Sequence, residues 1–172
     1  RRVRNVGVCY CISTRCIPTF LSDPILACFP AHNRRTRSLR RLKDNFMSNT
    51  EKVQSFISAW NCHDADAIMS FLAPNARYVN VGLNETTGQK DIRAGVERFL
   101  EEVSNIDWRI DHISESRDGT VLTERTDIFQ INEKSITIPL MGVFEFEDGL
   151  IVAWRDYFDV PGFIKQKADA SS

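Results

Sequence analysis

Between Trp108 and Asp159 apolar and polar residues alternate almost without a break, interrupted where Asp118-Gly119, Asn132-Glu133 and Asp148-Gly149 offer turns. A period of two belongs to a strand with one buried face, and such turn pairs join neighbouring strands in antiparallel hairpins. Four strands are predicted: Trp108 to Ser116, Thr120 to Ile131, Ser135 to Glu147 and Leu150 to Asp159. What precedes them has a different period. Val53, Phe56, Ile57 and Trp60 form one helical stripe behind the N-cap candidates Ser48, Asn49 and Thr50. Asp64 caps a second predicted helix, carrying Ile68, Met69, Phe71 and Leu72 and stopped by Pro74. Ala76 to Val81 reads as a short strand, a loop runs to Gly88, and Ile92, Val96, Phe99, Leu100 and Val103 mark a third helix. Helices followed by a long meander specify an α+β fold whose sheet curls around the helices.

A chain of 172 residues can bury one sizeable core. Its net charge of -1 conceals a division: residues 1–46 hold ten Lys/Arg and two Asp/Glu, residues 47–172 twelve and twenty-one. Cys9, Cys11, Cys16 and Cys28 also lie in the basic part, which leaves Cys62 alone in the acidic part and suggests a reduced, cytoplasmic domain without disulfides. Residues 1–46 show no sustained period, and their arginines cluster from Arg34 to Arg41. They read as an upstream extension, in the first instance a translated leader, with an organelle-targeting peptide as the alternative. A zinc site from Cys9, Cys11, Cys16, Cys28 and His32 is disfavoured, because the spacing lacks the paired C-x2-C of common structural sites. The periodic unit opens at Met47 and is taken as 47–172.

No run in the sequence is long and apolar enough to span a membrane. The balance of -9 from Met47 onward disfavours nucleic acid as a partner. There is no G-x-S-x-G elbow, Gly-rich phosphate loop or H-E-x-x-H motif, and neither His63 nor His112 belongs to a ligand pattern, so no metal is expected.

Two strings carry chemistry: Thr123-Glu124-Arg125-Thr126-Asp127 and Trp154-Arg155-Asp156-Tyr157-Phe158-Asp159. Alternation turns Arg125 and Asp127 to the face of Phe129, and Asp156 to the face of Trp154 and Phe158. Carboxylates facing an apolar interior must find a cation or keep a proton, and Arg125 is the cation on that face. A two-residue turn at Asn132-Glu133 sets Leu140 opposite Arg125. A three-residue loop at Glu147-Asp148-Gly149 sets Leu140 opposite Asp156 as well, which leaves the two about 10 Å apart across two strand steps. Two acids in unequal surroundings around one guanidinium are a candidate acid/base pair, one pKa pushed up and the other down. Tyr78-Val79-Asn80 adds a phenol and a carboxamide on one face, which with a carboxylate can hold a water by three hydrogen bonds.

These strings, with Gly142-Val143-Phe144 and Tyr78-Val79-Asn80, resemble the limonene-1,2-epoxide hydrolases over roughly residues 50–165. The resemblance implies a cone of curved mixed sheet of the nuclear transport factor 2-like, cystatin-like type, a homodimer, a deep pocket and no cofactor. It implies that Asp156 takes a proton from water held by Tyr78 and Asn80, that Asp127 protonates the epoxide oxygen, and that Arg125 bridges the acids. It further implies a substrate pocket of Ile57, Trp60, Phe129, Ile138, Leu140, Phe158 and Phe163. The expected reaction is concerted addition of water to a small or medium apolar epoxide, giving a vicinal diol. An isomerase, cyclase or dehydratase on the same scaffold is the alternative enzyme. A lipid-binding or dimerisation module is the non-catalytic alternative, against which two buried acids argue.

Overall fold

The computed structural model describes residues 47–171. Helix α1, Asn49–Asn61, begins with a reciprocal cap: Ser48 Oγ accepts from the Glu51 N–H and the Ser48 N–H donates to Glu51 Oε2. It buries Val53, Phe56, Ile57, Ala59 and Trp60, the expected stripe. His63, in the left-handed region at φ 55°, turns the chain into α2, Ala65–Ser70, where Asp64 caps the Ala67 N–H. Strand β1, Leu72–Asn80, follows directly, then β2, Asn84–Thr87, and helix α3, Gln89–Glu102. The long strands are β3, Ile106–Glu115, β4, Val121–Ile131, β5, Lys134–Glu147, and β6, Leu150–Phe158, and the described residues close with α4, Val160–Ala170.

The six strands form one curved sheet in the order β2-β1-β6-β5-β4-β3. All neighbours are antiparallel except β1 and β6, which run parallel. The inner face and α1 share a core in which Phe56 meets Trp60, Phe71, Phe144 and Trp154 edge to face, with ring centroids 5.1 to 6.3 Å apart. Asn61 fixes α1 to β3 by exchanging two hydrogen bonds with the Trp108 backbone, at 2.7 and 3.0 Å.

Several elements differ from the expectation. Helix α2 stops at Ser70, before Phe71 and Leu72, because Leu72 pairs with Ile151 and the Phe71 carbonyl accepts from the Ile151 N–H at 2.8 Å. Pro74 therefore lies inside β1, at the irregularity between Leu72 and Arg77 where the ladder with β6 is interrupted and its missing N–H is tolerated. The segment read as a loop before Gly88 contains β2, a short polar edge strand. Helix α4 is concealed in the sequence because Pro161-Gly162 resembles a turn. Asp159 caps it at the Gly162 N–H, and a Cβ at Gly162 would collide with that carboxylate. The helix covers the stretch of β5 that β6 does not reach, and Gln166 supplies Thr137 with both an acceptor at 3.0 Å and a donor at 3.1 Å.

Strand register decides which side chains can meet on the inner face. Leu140 lies opposite Arg125, as the two-residue turn at Asn132-Glu133 requires, both turn residues having positive φ. Opposite Asp156, however, lies Gly142 rather than Leu140. Asp148-Gly149 makes a two-residue turn, and a bulge between Glu145 and Phe146 adds a second single-residue shift. Two shifts of one leave the parity intact, so Asp156 still points inward.

Candidate active site

Arg125 is 1 % exposed on the inner face of β4, between Thr123 and Asp127. Its Nε donates to Asp127 Oδ1 at 2.9 Å, and Nη2 reaches Asp127 Oδ2 at 3.3 Å and Asp156 Oδ2 at 2.9 Å. Nη1 turns to Thr123 Oγ1 at 3.4 Å. The rings of Trp108, Phe144 and Trp154 surround the guanidinium carbon at 5.4, 5.8 and 5.9 Å, a cation–π belt that replaces part of its lost hydration. Room for it comes from Gly142, where a Cβ would lie 2.7 Å from Thr123 Oγ1 and closer still to Arg125 Nη1. A glycine in mid-strand signals a close approach of this kind.

Asp156 is held from two sides. Trp154, two residues earlier on the same face, donates its indole N–H to Oδ1 at 2.8 Å, while Arg125 holds Oδ2. The parallel pairing of β1 and β6 sets Asn80 beside Asp156 and Tyr78 beside Trp154. Tyr78 stacks on the Trp154 ring at 3.9 Å and donates its hydroxyl to Asn80 Oδ1 at 2.9 Å, and Asn80 Nδ2 donates to Asn84 Oδ1 at 3.0 Å. The five residues expected to carry catalysis thus converge. Trp154, Thr123 and Gly142 join them without having been expected there, although the same period-two spacing links Trp154 to Asp156 and Thr123 to Arg125.

Burial raises both carboxyl groups, in contrast to the expectation that unequal surroundings push them in opposite directions. Asp127 is pushed up to about 7, by burial first, with Arg125 pulling down and the negative charge of Asp156 adding to the rise. Asp156 is raised by burial against Arg125 and the Trp154 N–H, which favour its charged form. One guanidinium compensates one negative charge in a dry interior, so the pair favours a single shared proton. The Trp154 N–H favours the charged form of Asp156, and the negative charge of Asp156 adds to the rise of Asp127. The Tyr78 phenol is also raised, by burial and then by Asp156, and stays protonated. Arg125, lowered by burial but raised more by the two acids, stays charged.

A cavity of about 220 Å³ opens against Tyr78 and Asn80. Its lining is apolar at Trp60, Trp108, Ile92, Val96 and Phe99 and polar at Asn84, Thr86 and Asp91. Gly95 keeps its mouth wide, since a Cβ there would meet nothing within 4 Å. Of the expected pocket residues, Trp60 lines this cavity, stacked on Trp108 at 4.6 Å. Ile138 and Leu140 lie across the ladder from Asp127 and Arg125, and Phe158 lies opposite Leu140 and packs on Phe163 at 5.8 Å. Ile57 and Phe129 are buried in the core. Among the described residues no group of three or more His, Cys, Asp or Glu could hold a metal ion, and no helix is long and apolar enough to cross a membrane.

A helix-lined cone of curved sheet with a buried acid–arginine–acid system defines a class of enzyme built on the nuclear transport factor 2-like fold. An NTF2-like protein of unknown function from Burkholderia pseudomallei shares the fold at a TM-score of 0.62 and 22% identity, over 70% of this chain and 98% of that one. The limonene-1,2-epoxide hydrolase catalytic domain matches residues 47–169, and the chain belongs to that family of epoxide hydrolases. Epoxide hydrolase EphG of Mycobacterium tuberculosis is 35% identical over 114 residues, 66% of this chain and 74% of that protein. An LEH-like epoxide hydrolase structure from M. tuberculosis superposes at a TM-score of 0.63 with 31% identity, covering 72% of this chain and 91% of the other.

Gly142→Ala is expected to destabilise the protein by about 1–3 kcal/mol through overpacking against Arg125. Arg125→Ala should cost about 3–5 kcal/mol near neutral pH, with Arg125→Lys recovering only part, because an ammonium cannot serve two acids bidentately. Denaturant titration measures both, and an alanine at 125 as stable as the wild type would contradict the buried ion pair.

Proposed function

We propose that this chain hydrolyses a small or medium epoxide in one concerted acid/base step, without a cofactor, giving a vicinal diol. The observation that carries the reading is one guanidinium held at 2.9 Å from each of two buried carboxyls, beside a Tyr–Asn pair on a cavity wall. Asp156, ionised, takes a proton from a water that Tyr78 and Asn80 orient. The water oxygen attacks an oxirane carbon, the C–O bond breaks, and the leaving oxygen takes the proton of Asp127. Negative charge passes from Asp156 to Asp127 while Arg125 touches both, so little reorganisation is needed. Ring strain supplies driving force, and acid and base each contribute about 10²–10⁴-fold.

No covalent ester forms, because water rather than a carboxylate is the nucleophile. The protein is proposed to be cytoplasmic and to assemble as a homodimer; the dimer is supported by Leu122, Met141 and Tyr157, which are 38%, 47% and 45% exposed on the outer face of the sheet.

Asp156→Asn and Asp127→Asn should each lower turnover by at least about 10²-fold. Single turnover in H2¹⁸O should label the diol alone; label in either aspartate would indicate an ester and overturn the concerted step. Activity should fall as pH rises through about 7, where Asp127 loses its proton. Because its folded pKa is raised, the stability Asp127 contributes is fully present below about pH 4 and is lost as pH rises through about 7. The stability difference between wild type and Asp127→Asn, followed by denaturant titration, should shrink over that window. Sedimentation should give twice the monomer mass, and a monomer would remove the dimer from the proposal.

A further inference from the structure

The cavity lining has a polar part that the proposed hydrolysis does not use. Its position is set by strand pairing: Asn84 lies opposite Asn80, and Thr86 opposite Tyr78, on the same face of the β1–β2 ladder. Asp91 adds a carboxylate from the first turn of α3. Donor and acceptor capacity here is specific. Asn84 Oδ1 is engaged by Asn80 Nδ2 at 3.0 Å, which leaves its amide N–H groups to donate. Asp91 only accepts, and Thr86 does either. The rest of the lining, Trp60, Trp108, Ile92, Val96 and Phe99, offers no acceptor, and the buried indole N–H groups of Trp60 and Trp108 have no hydrogen-bond partner among the described residues. A ligand that fits this lining has an apolar body and one small group able to accept from an amide and donate to a carboxylate. A hydroxyl does both. A carboxylate meets the charge of Asp91, and a bare hydrocarbon leaves Asn84 and Asp91, both exposed, to water.

We propose that Asn84, Thr86 and Asp91 bind a substrate hydroxyl, so that the preferred substrates are epoxy alcohols with the hydroxyl about one strand spacing, roughly 4.8 Å, from the oxirane. This rests on the hydrolysis proposed above and narrows its substrate class. The hydroxyl reads the substrate one strand away from the water-holding pair, and holding it fixes which oxirane carbon faces that water.

The test compares kcat/KM for cyclohexene oxide, 3,4-epoxycyclohexanol, 3,4-epoxycyclohexylmethanol and 3,4-epoxycyclohexanecarboxylate. At least one epoxy alcohol should exceed cyclohexene oxide by about tenfold, and the carboxylate should be the poorest, as expected for a hydrogen bond to a charged group. Asp91→Ala and Thr86→Val, checked for folding by thermal melting, should pull the alcohol-to-hydrocarbon ratio toward one. Equal rates on both in the wild type would overturn the hydroxyl site and leave the hydrolase reading intact. A tenfold ratio that survives in both variants would also overturn it, since the hydroxyl would then be held elsewhere. No diol from any of the four would overturn both proposals together.

Discussion

One guanidinium shared by two buried carboxyls is the constraint on which the rest of the structure turns. Removing three ionisable groups from water is costly unless their charges nearly cancel and their hydrogen bonds are filled. Every neighbour of Arg125 answers one of those demands. Three aromatic faces take the place of hydration, Thr123 receives an otherwise idle N–H, and Gly142 withdraws its side chain altogether. The remaining imbalance of one negative charge is met by a proton on the pair, and in the proposed reaction that proton is the one passed to the epoxide oxygen.

The aromatic core and the site are accordingly one object. Phe56 on α1 touches Trp154, which holds Asp156, and Phe144, which lies over Arg125. Trp60, on the same helix, stacks on Trp108, which also borders Arg125, and both indoles form a cavity wall. A helix whose stripe reads as plain core packing thus packs against the aromatic rings that border the two buried carboxyls and Arg125. Its capping box and the Asn61 clasp on β3 hold it in that position.

Much of this is legible in the sequence because period-two alternation fixes a side chain's face without knowledge of its partner strand. Arg125, Asp127 and Asp156 can be read for that reason, and the error in pairing Asp156 with Leu140 is harmless because two single shifts restore the parity. What stays hidden depends on distance. β2 is four polar residues whose strand character comes only from lying against β1. Leu72 has the apolar character of a helix residue and becomes strand because Ile151 is there to pair with it. The cavity draws its polar lining from β2 and α3, elements whose approach no local pattern encodes, and the Pro-Gly at the start of α4 hides a cap that needs the glycine for space.

The parallel pairing of β1 with β6 has a consequence for how the protein comes into being. Hairpins β3–β4, β4–β5 and β5–β6 join strands adjacent in the chain, so Arg125, Asp127 and Asp156 can meet early through short loop closures. Tyr78 and Asn80 reach Asp156 only when strands far apart in sequence close the largest loop in the sheet, a step whose entropy cost makes it intrinsically late. In the hydrolysis proposed above Tyr78 and Asn80 orient the water, so a chain with its meander formed and β1 undocked would hold the charged triad without them, and recovery of activity during refolding would report closure of the sheet rather than formation of its meander.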